Sequence, residues 1–231
     1  MTITQRHLDR LRLGASPWRF PPPEVANPHG FVAAGGDLAP ETLVTAYCSG
    51  LFPMPLGRRR QIGWWSPDPR GILPLDRLVV SRSLRRSLRR YEVRVDSAFV
   101  EVMSNCGDPR RPHGWINKAF IHAYETLHQY GVAHSVECYD DGGRLVGGLY
   151  GVSLGGFFAG ESMFHHATDA SKVALVALVE TLAEVDGALL DVQWVTPHLA
   201  SLGAIEIPRS DYLDRLTRSL EAPTPTFARL P

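Results

Sequence analysis

The chain has 231 residues, 44% of them hydrophobic and 21% charged, with 24 basic and 24 acidic side chains and a formal net charge of zero. This is the balance of an ordinary globular protein large enough to bury a core without a metal or disulfide staple. It argues against a generic polyanion binder but leaves room for a local basic patch.

Three cysteines, Cys48, Cys106 and Cys138, occur without a CxxC or Cys/His metal spacing, as expected of reduced thiols in a cytosolic protein. The segment from Met1 to Pro17 has no apolar stretch suited to a signal peptide, and no run approaches the ~20 apolar residues of a membrane span.

Residues 1–70 are rich in Pro, Gly and Trp and read as a small lobe. Phe20-Pro21-Pro22-Pro23 is extended, because each proline disfavours helix at its predecessor. One helix stands out, with Asp37 as N-cap, Pro40 and Glu41 in its first turn and Gly50 past its end. Leu43, Val44 and Tyr47 then share a face. Trp64 to Arg70 reads as loop or short strand.

Residues 71–231 alternate between α and β patterns. A short strand is expected over Leu78–Val80, a helix over Ser81–Arg90, a strand over Tyr91–Val95 and a helix over Ala98–Asn105. A longer helix, Asn117–Tyr130, stops at Gly131. Three strands follow, Ala133–Tyr139, Arg144–Val152 and Gly156–Phe164, the first two joined by an Asp141-Gly142-Gly143 hairpin. Ser171–Val185 is apolar on most sides and reads as a central helix. A strand over Ala188–Val195, short helices over Pro197–Leu202 and Ser210–Leu220, and a Pro/Thr tail complete the chain.

Three segments can carry chemistry. Ser81 to Arg90 holds five arginines and no acid. At about 100° per residue, Arg82, Arg86, Arg89 and Arg90 fall in one sector, opposite Leu84 and Leu88. Arginine forks suit phosphate oxygens, although a solvated helix face gives the same pattern. In the strand around Leu189-Leu190-Asp191-Val192-Gln193-Trp194, Asp191 and Gln193 share one face and Leu190, Val192 and Trp194 the other. An acid in such a run is either used or satisfied by partners. Glu161 sits similarly among Phe157, Phe158, Met163 and Phe164. His165 and His166 lack a third ligand at metal spacing, and Trp64, Trp65, Trp115 and Tyr124 serve either core packing or base stacking.

Together these stretches resemble the leucyl/phenylalanyl-tRNA–protein transferase family. The resemblance rests on Gly35-Gly36-Asp37-Leu38, Ala46-Tyr47, Gly50-Leu51-Phe52-Pro53, Trp64-Trp65-Ser66-Pro67-Asp68-Pro69-Arg70, Ser81-Arg82-Ser83, Gly160-Glu161-Ser162-Met163-Phe164, Ala170-Ser171-Lys172 and Ser201-Leu202-Gly203-Ala204, and covers about residues 19–215. It implies an α+β fold, a small N-terminal lobe (1–70) joined to a larger domain similar to the GCN5-related acetyltransferases (71–231). Those enzymes hold CoA pyrophosphate on a glycine-rich turn. The corresponding turn here, His166 to Ser171, has no glycine, so no cofactor is expected, and no metal either.

The resemblance implies tRNA contacts at Arg82, Arg86, Arg89 and Arg90 and a reaction centre at Asp191 and Gln193. It places an aminoacyl-adenosine pocket at Tyr47, Met54, Trp115, Tyr124, Leu149, Phe158, Glu161, Leu175 and Leu178. Two positions depart from the family pattern: Met54 replaces a tryptophan and Thr196 an asparagine. The implied partners are Leu-tRNA and Phe-tRNA, with Met-tRNA used to some extent, and acceptor proteins beginning with Arg or Lys. The products would enter N-degron proteolysis in bacterial cytoplasm. A monomer is expected, without DNA or membrane.

An aminoacyl ester is already activated, so alignment and removal of one proton suffice. Asp191 can orient Gln193, with the pair taking or relaying the proton, and Glu161 is a second acid that could attract a basic acceptor. Alternatively Gln193 only positions the amine and a tRNA ribose hydroxyl moves the proton. Two other readings stay open, transfer to a cell-wall precursor or small amine, and non-catalytic binding of tRNA ends.

Overall fold

The computed structural model describes residues 1–57, 61–111 and 114–227; the end of the Pro/Thr tail, 228–231, lies outside the described residues. Helix α1 (Ile3–Arg10), absent from the sequence reading, starts where Thr2 Oγ1 accepts from the Gln5 N–H at 3.1 Å. Strands β1 (Phe31–Ala34), β2 (Phe52–Leu56) and β3 (Gln61–Trp65) form an antiparallel sheet in the order β1-β3-β2. Pro53 and Pro55 argue against a strand, yet β2 is tolerated because it is an edge and pairs only with β3.

Helix α2 (Pro40–Cys48) carries Pro40 in its first turn, and Gly50 follows it with φ +76. Its N-cap is Ala39 rather than Asp37. Asp37 acts one step earlier, where its carboxylate accepts from the Ala39 N–H (3.0 Å) and from Trp18 Nε1 (2.9 Å).

The larger sheet begins with β4 (Arg70–Ile72). It continues through β5 (Glu92–Val95), β6 (Ala133–Tyr139), β7 (Leu145–Leu154), β8 (Phe157–His165), β9 (Leu189–Gln193) and β10 (Ile205–Ile207), in the order β10-β4-β9-β8-β7-β6-β5. Every pair is antiparallel except β8 and β9. The helices are α3 (Arg82–Ser87), α4 (Phe99–Cys106), α5 (Lys118–Gln129), α6 (Ala170–Ala183), α7 (Pro197–Ser201) and α8 (Arg209–Glu221). The fold is therefore mixed α/β, as expected.

Two further expectations are corrected. Leu78–Val80 is not a strand; a 3-10 turn at Leu75–Arg77 leads into an irregular segment that donates one bond, Val79 N–H to Leu202 O. The arginine helix stops at Ser87, because Arg89 and Arg90 close tight turns onto Arg86 and Ser87 before β5 begins.

Helix α6 is central, with Val173, Leu175, Val176, Leu178, Val179 and Leu182 all buried on one face of the large sheet. The other core cluster joins residues of both sheets, among them Tyr47 and Trp64 with Tyr124, Phe157 and Tyr212.

Candidate active site

Strands β8 and β9 run parallel for only three pairs, from Phe157 opposite Leu189 to Ala159 opposite Asp191. Each then bulges. On β8, Gly160 and Ser162 face consecutive residues of β7, so Glu161 is the extra residue. On β9, Asp191 and Gln193 face the consecutive Ile72 and Gly71 of β4, so Val192 is extra. Bulges bend a strand and re-aim its side chains. A cavity of about 510 Å³ opens where the strands part, lined from β8 by Glu161 and Met163 and from β9 by Val192, Gln193 and Trp194. Leu175 and Leu178 of α6, Phe52 and Met54 of β2, and Trp115 complete most of an apolar wall. An apolar concavity with a few polar groups is the usual form of a small-ligand site.

Glu161 is half-buried and lines this cavity. Its Oε1 accepts from Tyr47 Oη at 2.7 Å and its Oε2 from Tyr124 Oη at 3.4 Å, while the two phenols bond to each other. Burial pushes the carboxyl up to about 8. The Tyr47 hydrogen bond opposes this, and the charge of Asp191 adds to it. Burial, followed by the Glu161 charge, also holds both phenols well above the usual tyrosine value, so they stay donors.

Asp191 points away from the cavity and is fully buried. Arg70, equally buried, donates to it twice, Nε to Oδ1 at 2.9 Å and Nη2 to Oδ2 at 2.6 Å. Tyr212 Oη donates to Oδ2 at 3.1 Å, and the Gln193 N–H to Oδ1 at 2.9 Å. Gln193 adopts φ +58, a conformation uncommon for a side-chain-bearing residue. This turns its side chain to the cavity, separating it from the face of Asp191 with which simple alternation grouped it. With the amide nitrogen toward acceptors, Nε2 donates to Gly160 O at 2.9 Å.

Residues 72–217 match the leucyl/phenylalanyl-tRNA protein transferase family, and residues 36–68 match the N-terminal domain of the same family. A leucyl/phenylalanyl-tRNA–protein transferase of Anaeromyxobacter sp. is 52% identical over 89% of this chain and 88% of its own length. One from Tolumonas auensis is 46% identical over 97% of this chain and 95% of its own. The chain belongs to the leucyl/phenylalanyl-tRNA–protein transferase family. Among solved structures, L-PGS from Bacillus licheniformis aligns at TM-score 0.34 and 14% identity, over 65% of this chain and 51% of that one, an overlap too small to assign a fold.

Seven residues singled out from sequence by the transferase-family resemblance meet on the cavity wall: Met54, Trp115, Leu149, Glu161, Leu175, Leu178 and Gln193. Tyr47, Tyr124 and Asp191 lie behind it, reaching it through hydrogen bonds to Glu161 and Gln193. Phe158 is fully buried and packs beside Gly151 and Phe227 rather than on the wall. Thr196, the second departure from the family pattern, is also on the wall, and its Oγ1 caps α7 by accepting from the Leu199 N–H at 3.2 Å.

Arg82, Arg86, Arg89 and Arg90 are all exposed, and among the described residues none pairs with a carboxylate within 4 Å. They stand beside the start of α6, where Ser87 Oγ donates to Asp169 at 3.0 Å. Sequence reading missed Arg70 and Tyr212 as partners of Asp191, and Trp194 as part of the wall. Trp194 remains 39% exposed at the cavity, in edge contact with Phe52 at 5.0 Å. The arginine of the Trp64–Arg70 motif was visible, but nothing local revealed its partner 121 residues away.

Proposed function

We propose that this chain transfers leucine or phenylalanine, and methionine less readily, from aminoacyl-tRNA to the N-terminal α-amine of proteins beginning with Arg or Lys. The cavity carries this reading. It is apolar along Leu149, Leu175 and Leu178, as a Leu or Phe side chain requires, and polar at Gln193 and Glu161, where an ester and an amine must meet. The unpaired arginines of α3 and the following turn supply phosphate contacts for the tRNA, next to the helix that forms the cavity wall.

The four bonds to Asp191 leave it no free role as proton acceptor; it holds Gln193, which orients the incoming amine. The proton-accepting group is Glu161. A carboxyl raised to about 8 matches an α-amine of about 7.7–8. Entry of a basic N-terminus favours the ionised carboxylate, so a cationic acceptor also primes the base.

The same reading takes residues 1–70 as a small lobe and 71–231 as a GCN5-related acetyltransferase-like domain. Its support is that the three-stranded sheet uses only residues 31–65, while the seven-stranded sheet starts at Arg70 and contains the diverging parallel pair. It has the chain acting as a monomer in the cytoplasm without DNA, marking acceptors for N-degron proteolysis. No helix of the described residues is long and apolar enough to cross a membrane.

The test is incubation of labelled Leu-tRNA with peptides of varied N-terminus. Labelling of Arg- and Lys-peptides above all others is expected; no peptide labelling, or labelling without regard to the first residue, overturns the proposal.

A further inference from the structure

We infer that Arg70 is a positioning residue for the transfer step, acting through Asp191 to aim the Gln193 amide into the cavity. The inference rests on the reading of Gln193 given above. Arg70 donates from Nε and Nη2 to the two Asp191 oxygens, from Nη1 to Gly50 O at 3.0 Å, and from Nη2 to Tyr212 Oη at 3.1 Å. Its guanidinium lies 4.2 Å from the Tyr212 ring centroid and 4.8 Å from that of Phe52. Only a planar fork can satisfy this set, and a lysine ammonium cannot reproduce it.

The consequence reaches the cavity through one oxygen. Asp191 Oδ1 accepts from Arg70 Nε and from the Gln193 N–H together. That second bond holds Gln193 at φ +58, a left-handed conformation that a side-chain-bearing residue keeps only where its surroundings enforce it. A strand that simply continued past Asp191 would return the next like-facing side chain, Gln193, to the face of Asp191 and away from the ligand. Gly50 precedes β2 and Phe52 is its first residue, so Arg70 also ties the small sheet to this device.

Arg70→Lys keeps the charge and removes the fork. Two measurements separate positioning from bulk stability. In single-turnover transfer with pre-bound Leu-tRNA, the rate should fall by about 100-fold, the scale of a small misalignment, with donor affinity unchanged. In hydrogen exchange, the Gln193 amide should lose protection while amides of the distant strand β6 keep theirs. Where Arg70→Lys does not fold, Tyr212→Phe, which deletes one bond to the same carboxylate, is put through both measurements with the same expected directions. Uniform loss of protection across the sheet, or an unchanged transfer rate at full donor occupancy, overturns the inference. The exchange result needs no activity, so it still judges Arg70 if the unmodified chain proves not to transfer leucine, the outcome that sinks the function proposal instead.

Discussion

Tyr47 donates to Glu161 Oε1 at 2.7 Å, so a helix before the small sheet's β2 holds the residue that bulges from β8 of the large one. Glu161 has a folded value of about 8 against an ordinary 4.5, chiefly through burial. The folded state therefore binds this proton more tightly than the unfolded chain does. Its stabilising contribution is fully present below about pH 4.5 and is lost as pH rises through about 8. Glu161→Gln should flatten this part of the stability curve and be the more stable protein above pH 8. In transfer assays the wild-type rate should rise through two ionisations near pH 8, the carboxyl and the acceptor amine, and the variant should retain only the amine's. Identical pH–rate profiles would remove Glu161 as the base.

Asp191→Asn should damage both stability and rate. An amide nitrogen there would face the donors Arg70 and Tyr212 and leave a buried guanidinium uncompensated. Breaking one side of a buried pair costs about 3–5 kcal/mol, or roughly 6–20 °C in Tm for a chain of this size. A melting curve within a degree or two of wild type would show that the pair contributes little.

Arg82→Ala with Arg86→Ala should leave the melting curve unchanged, since both side chains are exposed and make no side-chain bond among the described residues. Affinity for tRNA should fall, and the slope of log affinity against log salt should shrink by about 2, one for each lost phosphate contact. An unchanged affinity and slope would mark a merely solvated face.

Donor choice should follow the shape of the wall at Leu149, Leu175 and Leu178. Leu-tRNA should be preferred to the β-branched Ile-tRNA and Val-tRNA by about 10–200-fold in kcat/KM, the range that one misplaced methyl commands. Comparable transfer from Leu-tRNA and Ile-tRNA would show that the aminoacyl group lies elsewhere.

Much of this was legible in the sequence because its signals are local. The hairpin at Asp141-Gly142-Gly143, the stop at Gly131 and the all-round apolar α6 each follow from a few neighbouring residues, and all are present. The motifs that mark the transferase family are likewise contiguous. Local rules failed where a tertiary partner decided. Leu78–Val80 has strand-forming residues but, among the described residues, a single backbone partner, and β2 is a strand despite two prolines because its edge position spares the missing donors.

Sequence by itself determined the family, through contiguous motifs, and the one-sided arginines, through residue type and spacing; the pocket residues followed only from the family resemblance, and one of them, Phe158, lies off the wall. The tertiary structure alone decided what Asp191 and Gln193 do. Strand alternation groups them on one face, whereas Arg70, 121 residues earlier in the chain, captures the carboxylate and a bulge at Val192 swings the amide to the cavity. Periodicity describes an undisturbed strand; a buried ion pair and an extra residue override it, and both depend on neighbours that only folding brings together.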